Sequence, residues 1–154
     1  MAPASNFYSV VAGVGAGTGK TISPPHIRNS SYTDSTFLGR SVALKFAKIY
    51  PVALLARNPA NYESIVEEIN TAGGKAIGVS TDVSSASSVK NAFAEIQKEF
   101  KGKKLAAAIY NVGGKFVRKP FLELSLEDYE AGYEANGHVL ASFSSFPSIS
   151  CRGH

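Results

Sequence analysis

Four short apolar runs punctuate the chain: residues 8–13 (YSVVAG), 51–56 (PVALLA), 75–80 (KAIGVS) and 104–111 (KLAAAIYN). Each is too short for a helix and carries almost no polar alternation, the pattern of strands buried on both faces. Helical spacing fills the gaps. Val42, Ala43, Phe46, Ala47 and Tyr50 share a face in residues 40–50, and Tyr62, Ile65, Val66 and Ile69 share another. Val89, Phe93, Ile96 and Phe100 mark a helix over 84–100. Asn58 and Pro59 offer an N-cap with proline in the first turn, and Gly73-Gly74 offers a stop. Ser125 and Asp128 stand at capping-box spacing before Tyr129 and Tyr133. Alternating strand and helix predicts an α/β fold of about four parallel strands, doubly wound and crossed over right-handedly. Such sheets bind ligands beyond the carboxyl ends of their strands. The glycine stretch 13–19, Arg57, Asp82 and the segment Asn111-Val112-Gly113-Gly114 all fall at those ends.

Two stretches break the pattern. Residues 20–39 (KTISPPHIRNSSYTDSTFLG) hold Pro24-Pro25, four Ser and three Thr without periodicity, and are expected to be an unstructured insert. Residues 141–154 (ASFSSFPSISCRGH) hold five Ser, no acid and no apolar face, and look like an aberrant tail.

Composition narrows the chemistry. A single cysteine, Cys151, excludes an internal disulfide, and with His26, His138 and His154 scattered no metal site is expected. A net charge of +4 from dispersed basic residues is too mild to predict nucleic-acid binding. No apolar run approaches the ~18 residues of a membrane span, and the first residues lack the basic and apolar regions of a signal peptide. A cytoplasmic location with no membrane partner is the expectation.

Residues 11–21 (VAGVGAGTGKT) admit three readings. A P-loop would end in Gly19-Lys20-Thr21, but its first glycine falls on Val14 and Pro24-Pro25 follows where a helix is needed. A methyltransferase loop that binds S-adenosylmethionine accepts Gly15, Gly17 and Gly19, yet the acids it wants are replaced by Gly13 and Arg57. A dinucleotide loop needs glycines where the backbone turns tightly, approaches pyrophosphate and packs the next helix. Gly13, Gly17 and Gly19 supply that spacing.

With these residues in order, the chain resembles the short-chain dehydrogenase/reductase family, in its NADP-type, fungal-like form, over residues 7–19 and 40–136. The resemblance implies a Rossmann-like sheet, incomplete here, and a nicotinamide dinucleotide as cofactor. It implies cofactor contacts at Gly13, Gly17, Thr18, Gly19, Arg57, Asn58, Asp82, Val83, Asn111 and Gly113. Arg57 ends the second strand, where an acid reads the 2′-hydroxyl of NAD(H) and an arginine suits the 2′-phosphate of NADP(H). Asp82-Val83 resembles the family's pair beside adenine, and Asn111 to Gly114 its Asn-Asn-Ala-Gly element. Asn136 matches the family asparagine that orders a water in the proton relay. The parent reaction would be hydride transfer between cofactor and a small carbonyl or alcohol, and the parent could assemble as a homo-oligomer. A plainer reading stands beside each match: a solvated Arg57, a helix-capping Asp82, a plain turn at Asn111 to Gly114, a capping Asn136.

Two departures bear on activity. The insert separates Gly19 from the helix that should follow it; removing residues 20–39 brings Arg57 to the usual distance from the glycines. The codons of residues 19–21, 32–34 and 37–39 can encode a splice donor, branch site and acceptor, so a retained intron is the expectation. The second departure is chemical. None of the seven tyrosines has a lysine four residues on, so the family's Tyr-x-x-x-Lys is absent from this sequence. Without that general acid the chain is expected to bind cofactor without turnover. A non-enzymatic NADP-binding fragment or decoy subunit is the alternative. Loss of later strands would leave an unpaired edge beside the first.

Overall fold

The computed structural model describes residues 6–14, 36–113 and 119–133. β1 (Phe7–Ala12) is followed by α1 (Thr36–Ala47), β2 (Val52–Ala56), α2 (Glu63–Thr71), β3 (Ala76–Ser80), α3 (Ala86–Glu99), β4 (Lys104–Tyr110) and α4 (Leu126–Tyr133). Single 3-10 turns at Pro59–Asn61 and Phe121–Glu123 precede α2 and α4. The four strands form one parallel sheet in the order β3-β2-β1-β4. This is the expected α/β, Rossmann-like arrangement, and all four strands coincide with the apolar runs.

Parallel strands alternate their side chains between two helical layers. Val10 and Ala12 of β1, with Ala53 and Leu55 of β2, face Val89, Phe93, Ile96 and Phe100 around α3. Val11, Val52 and Leu54 point the other way, against Ala43 and Ala47 of α1 and Ile65 and Ile69 of α2. Each such large side chain contributes roughly 1.5–3 kcal/mol on burial, so the double-sided β1–β2 pair is the main apolar anchor. Asn70 joins α2 to β3 by accepting from Ala76 N–H (2.8 Å) and donating to Ala76 C=O (3.2 Å). Ser85 caps α3 through Ser88 N–H (3.3 Å). The Ser125–Asp128 capping box forms, each side chain accepting from the other's backbone N–H (3.1 and 3.2 Å).

Three expectations change. The first helix begins at Thr36 rather than Arg40, so the last four residues of the segment expected to be unstructured are helical. The helix expected to start at Asn58-Pro59 is split: Asn58 caps a 3-10 turn, and α2 begins at Glu63. β1 is no edge: it pairs with β2 on one side and β4 on the other, and among the described residues β3 and β4 are the outer strands. Sheet order is a tertiary property that strand composition does not encode.

Candidate functional site

The carboxyl ends of three strands are tied together at Gly13. Its N–H donates to Leu55 C=O (2.9 Å), and Asn111 N–H donates to Ala12 C=O (2.9 Å). The carboxamide of Asn111 then donates to Gly13 C=O (3.1 Å). Gly13 has φ +85°, and a Cβ there would run into the Asn111 carbonyl. Glycine is required on both counts. A second close approach lies beside it: a Cβ on Gly39 would come 2.5 Å from Gly13 O and 2.9 Å from Val14 Cα.

In front of this knot opens a cleft of about 330 Å³, lined by Gly13, Arg57, Asn58, Val83, Asn111 and Gly113 among others. Six of the ten expected cofactor contacts therefore share one concavity. Asp82 is exposed at its rim, followed directly by the lining residue Val83. Gly17, Thr18, Gly19 and Asn136 lie outside the described residues. Asn61 and Thr81 also line the cleft and were not expected to. Asn61 sits in a 3-10 turn with no apolar periodicity to flag it. Thr81 is buried, and its hydroxyl donates to Val79 C=O (3.1 Å).

Local bonding fixes the polar groups of the rim. Asn58 Oδ1 accepts from Ala60 N–H (3.1 Å), so its carboxamide oxygen is committed to capping although the residue lines the cleft. Ser80 Oγ donates to Arg57 C=O (3.0 Å), fastening the end of β2 to β3. The Arg57 side chain is exposed, and no carboxylate forms an ion pair with it among the described residues. Asp82 Oδ1 accepts from Ser84 Oγ (2.6 Å) and Ser84 N–H (3.0 Å). Those two bonds hold its carboxyl below the usual value, and the positive field of Arg57 adds a smaller pull. The rim thus offers a guanidinium in no ion pair among the described residues and one ordered carboxylate.

Such an arrangement suits a ligand with a flat apolar portion and an anionic group. The close approaches at Gly13 and Gly39, where the chain's own backbone fills the space a Cβ would take, are the tight turn and the close helix–strand packing of a dinucleotide loop. Among the described residues no group of three His, Cys, Asp or Glu is placed to hold a metal, and no helix is long and apolar enough to cross a membrane.

Residues 34–146 match the family model described as short chain dehydrogenase. The chain belongs to this family. The short-chain dehydrogenase match begins two residues before α1, so β1 and the glycine stretch fall on its far side. A 3beta-hydroxysteroid dehydrogenase of Mediterraneibacter gnavus is 35% identical over 100 residues, which are 64% of this chain and 36% of that protein. A hydroxysteroid dehydrogenase from Escherichia coli superposes with a TM-score of 0.68 at 21% identity, over 91% of this chain and 50% of its own. A short-chain dehydrogenase/reductase from Serratia marcescens gives 0.70 at 18% identity, covering 96% and 51%. A metagenomic short-chain oxidoreductase in complex with NADP gives 0.67 at 17% identity, covering 91% and 54%. These solved structures carry the same fold, and the chain spans about half their length. The family is one of oxidoreductases, with a nicotinamide dinucleotide as its cofactor.

Proposed function

We infer that this chain is the cofactor-binding portion of an NADP(H)-dependent short-chain oxidoreductase. The observation that carries the reading is Arg57: a guanidinium at the carboxyl end of β2, on the wall of the cleft that Gly13 and Asn111 close. Two ends of the ligand would be read separately. Arg57 would hold the 2′-phosphate by charge-assisted bonds, worth roughly 1.5–3 kcal/mol at a partly exposed site. Val83 and Asp82 would flank the adenine, Gly13 would supply the tight turn after β1, and Gly113 would leave room for the cofactor. Gly17, Thr18 and Gly19 would complete the phosphate contacts.

The bound dinucleotide supplies a hydride to a carbonyl, or accepts one from an alcohol. The residues of this chain bind and orient it. Asn136 is the one member of the family's proton relay that the sequence contains. A small carbonyl or alcohol is the substrate of the parent enzyme, with cytoplasmic location and homo-oligomeric assembly part of the same reading. Alone, this chain binds NADP(H) and does not turn over. The experiment is a fluorescence titration with NADPH and NADH. The expected result is tighter NADPH binding, roughly 10- to 100-fold, from an interaction of that strength. Arg57→Asp should reverse the preference. An unchanged NADPH/NADH ratio in that variant would remove Arg57 from the site, and competition by S-adenosylmethionine would favour a methyltransferase-like domain instead.

A further inference from the structure

We propose that Gly39, not Gly19, is the glycine on which the helix after β1 docks, and that the residues between the two are an insert the fold can lose. The contact geometry is the starting point. A Cβ on Gly39 would meet Gly13 O at 2.5 Å and Val14 Cα at 2.9 Å, both backbone atoms. Gly13 follows β1 directly and is hydrogen-bonded through both its N–H and its C=O, and backbone so held has no rotamer with which to give way, so position 39 demands glycine. A glycine at the start of the helix, packed on the end of the first strand, is what a dinucleotide fold needs for close helix–strand approach.

Among the described side chains of α1, the buried ones start at the same residue. Gly39, Ala43 and Ala47 are buried, and Arg40 pairs with Glu68 of α2. Leu38, one residue earlier, is 57% exposed.

Val14 and Gly39 are neighbours in space and 25 positions apart in sequence. Residues 15–18 (GAGT) suffice to bridge them, since each residue reaches about 3.3 Å and the gap is van der Waals contact. Positions 19 and 39 are both glycine, so deleting 20–39 or 19–38 yields one and the same chain: Thr18, glycine, Arg40. In that chain the docking glycine keeps its place and the loop runs straight into α1. The amides of the first helical turn then meet the end of β1 without an intervening excursion, the geometry that binds phosphate. Only the nucleotide-binding half of this inference rests on the dinucleotide reading above.

The test compares four proteins: the full chain, the chain lacking residues 20–39, and Gly19→Val and Gly39→Val in the full chain. Thermal denaturation and NADPH titration are measured on each. The shortened chain should unfold at or above the Tm of the full chain and bind NADPH about tenfold more tightly, the scale of one helix N-terminal contact. Gly39→Val should lower Tm by about 5 °C or more, or prevent folding, while Gly19→Val stays within about 1 °C. A shortened chain that melts well below the full chain overturns the insert. Equal losses from Gly19→Val and Gly39→Val overturn the docking glycine. A shortened chain that keeps its Tm and binds no nucleotide upholds both and sinks the dinucleotide reading instead.

Discussion

The side-chain amide of Asn111 donates to the main-chain carbonyl of Gly13, 98 positions earlier in the chain. That bond closes the crest between β1 and β4, and it lies in the wall of the cleft. Asn111→Ala would leave a part-buried carbonyl unmatched, at a cost of roughly 1–3 kcal/mol. Tm should fall by several degrees. Asn111→Asp should do worse, because a carboxylate would face the carbonyl with no proton to share. Thermal denaturation of the two variants gives the order directly, and a harmless Asn111→Asp would sink the assignment of that bond.

Gly78 makes a second prediction, away from the site. A Cβ there would fall on the Tyr62 ring, which covers β3. Gly78→Val should cost about 1–3 kcal/mol by overpacking. Tyr62→Ala in the same chain removes the clash, so the double variant should be more stable than the two single losses predict. Additive losses in urea melts would show that the ring and the glycine do not touch.

Charge at the rim should be legible in salt. Arg57 is exposed, and its contact with an anionic group would be screened as ionic strength rises. NADPH binding should weaken severalfold between low and high salt, while NADH binding changes little. Parallel salt dependence for both nucleotides would place the anion contact on a group common to the two.

Acid should unpick the start of α4. The Lys119 ammonium beside Asp128 (2.7 Å) and the Ser125 N–H hold that carboxyl at about 2, below its ordinary 3.8. A depressed value in the folded chain means the contact is fully favourable above the unfolded value and lost as pH falls through the folded one. The Asp128 carboxyl resonance should therefore titrate near pH 2, and Lys119→Ala should move its midpoint upward. An unchanged midpoint in that variant would exclude the ammonium as the cause.

The insert predicts something about the message. Sequencing the transcript from the Gly13 codon onward should find a species lacking the codons for residues 20–39 in frame. A single species reading as translated would make the segment a true insertion.

Much of the fold was legible because buried parallel strands are written as unbroken apolar runs. YSVVAG, PVALLA, KAIGVS and KLAAAIYN each became a strand within a residue or so of the expected bounds. The start of α1 was not legible. Thr36 to Gly39 are too short a run to show a helical period and close a Ser/Thr-rich stretch, and the contact of Gly39 with Gly13 is a backbone contact without a side-chain signature. The lining of the cleft was readable where residue type and strand end coincide, as at Gly13, Arg57 and Asn111. It was not readable at Asn61, whose place on the cleft wall comes from the 3-10 turn that Asn58 caps. Asn58 itself shows the same limit from the other side: its Asn-Pro signature foretold a cap, and the cap is what its side-chain oxygen makes.

The strand order has a consequence for how the chain is made. β1 leaves the ribosome first yet lies between β2 and β4, with Phe7 paired to Lys104. Its second hydrogen-bonding edge must wait until the whole of β4 has been synthesised. During that interval an apolar strand stands half-paired, and closing the sheet requires contacts across nearly a hundred residues. Folding of this kind is slow and exposed to chaperones. The pairing edge of β1 should therefore be most vulnerable to aggregation just before residue 110 emerges, and covered once β4 has docked.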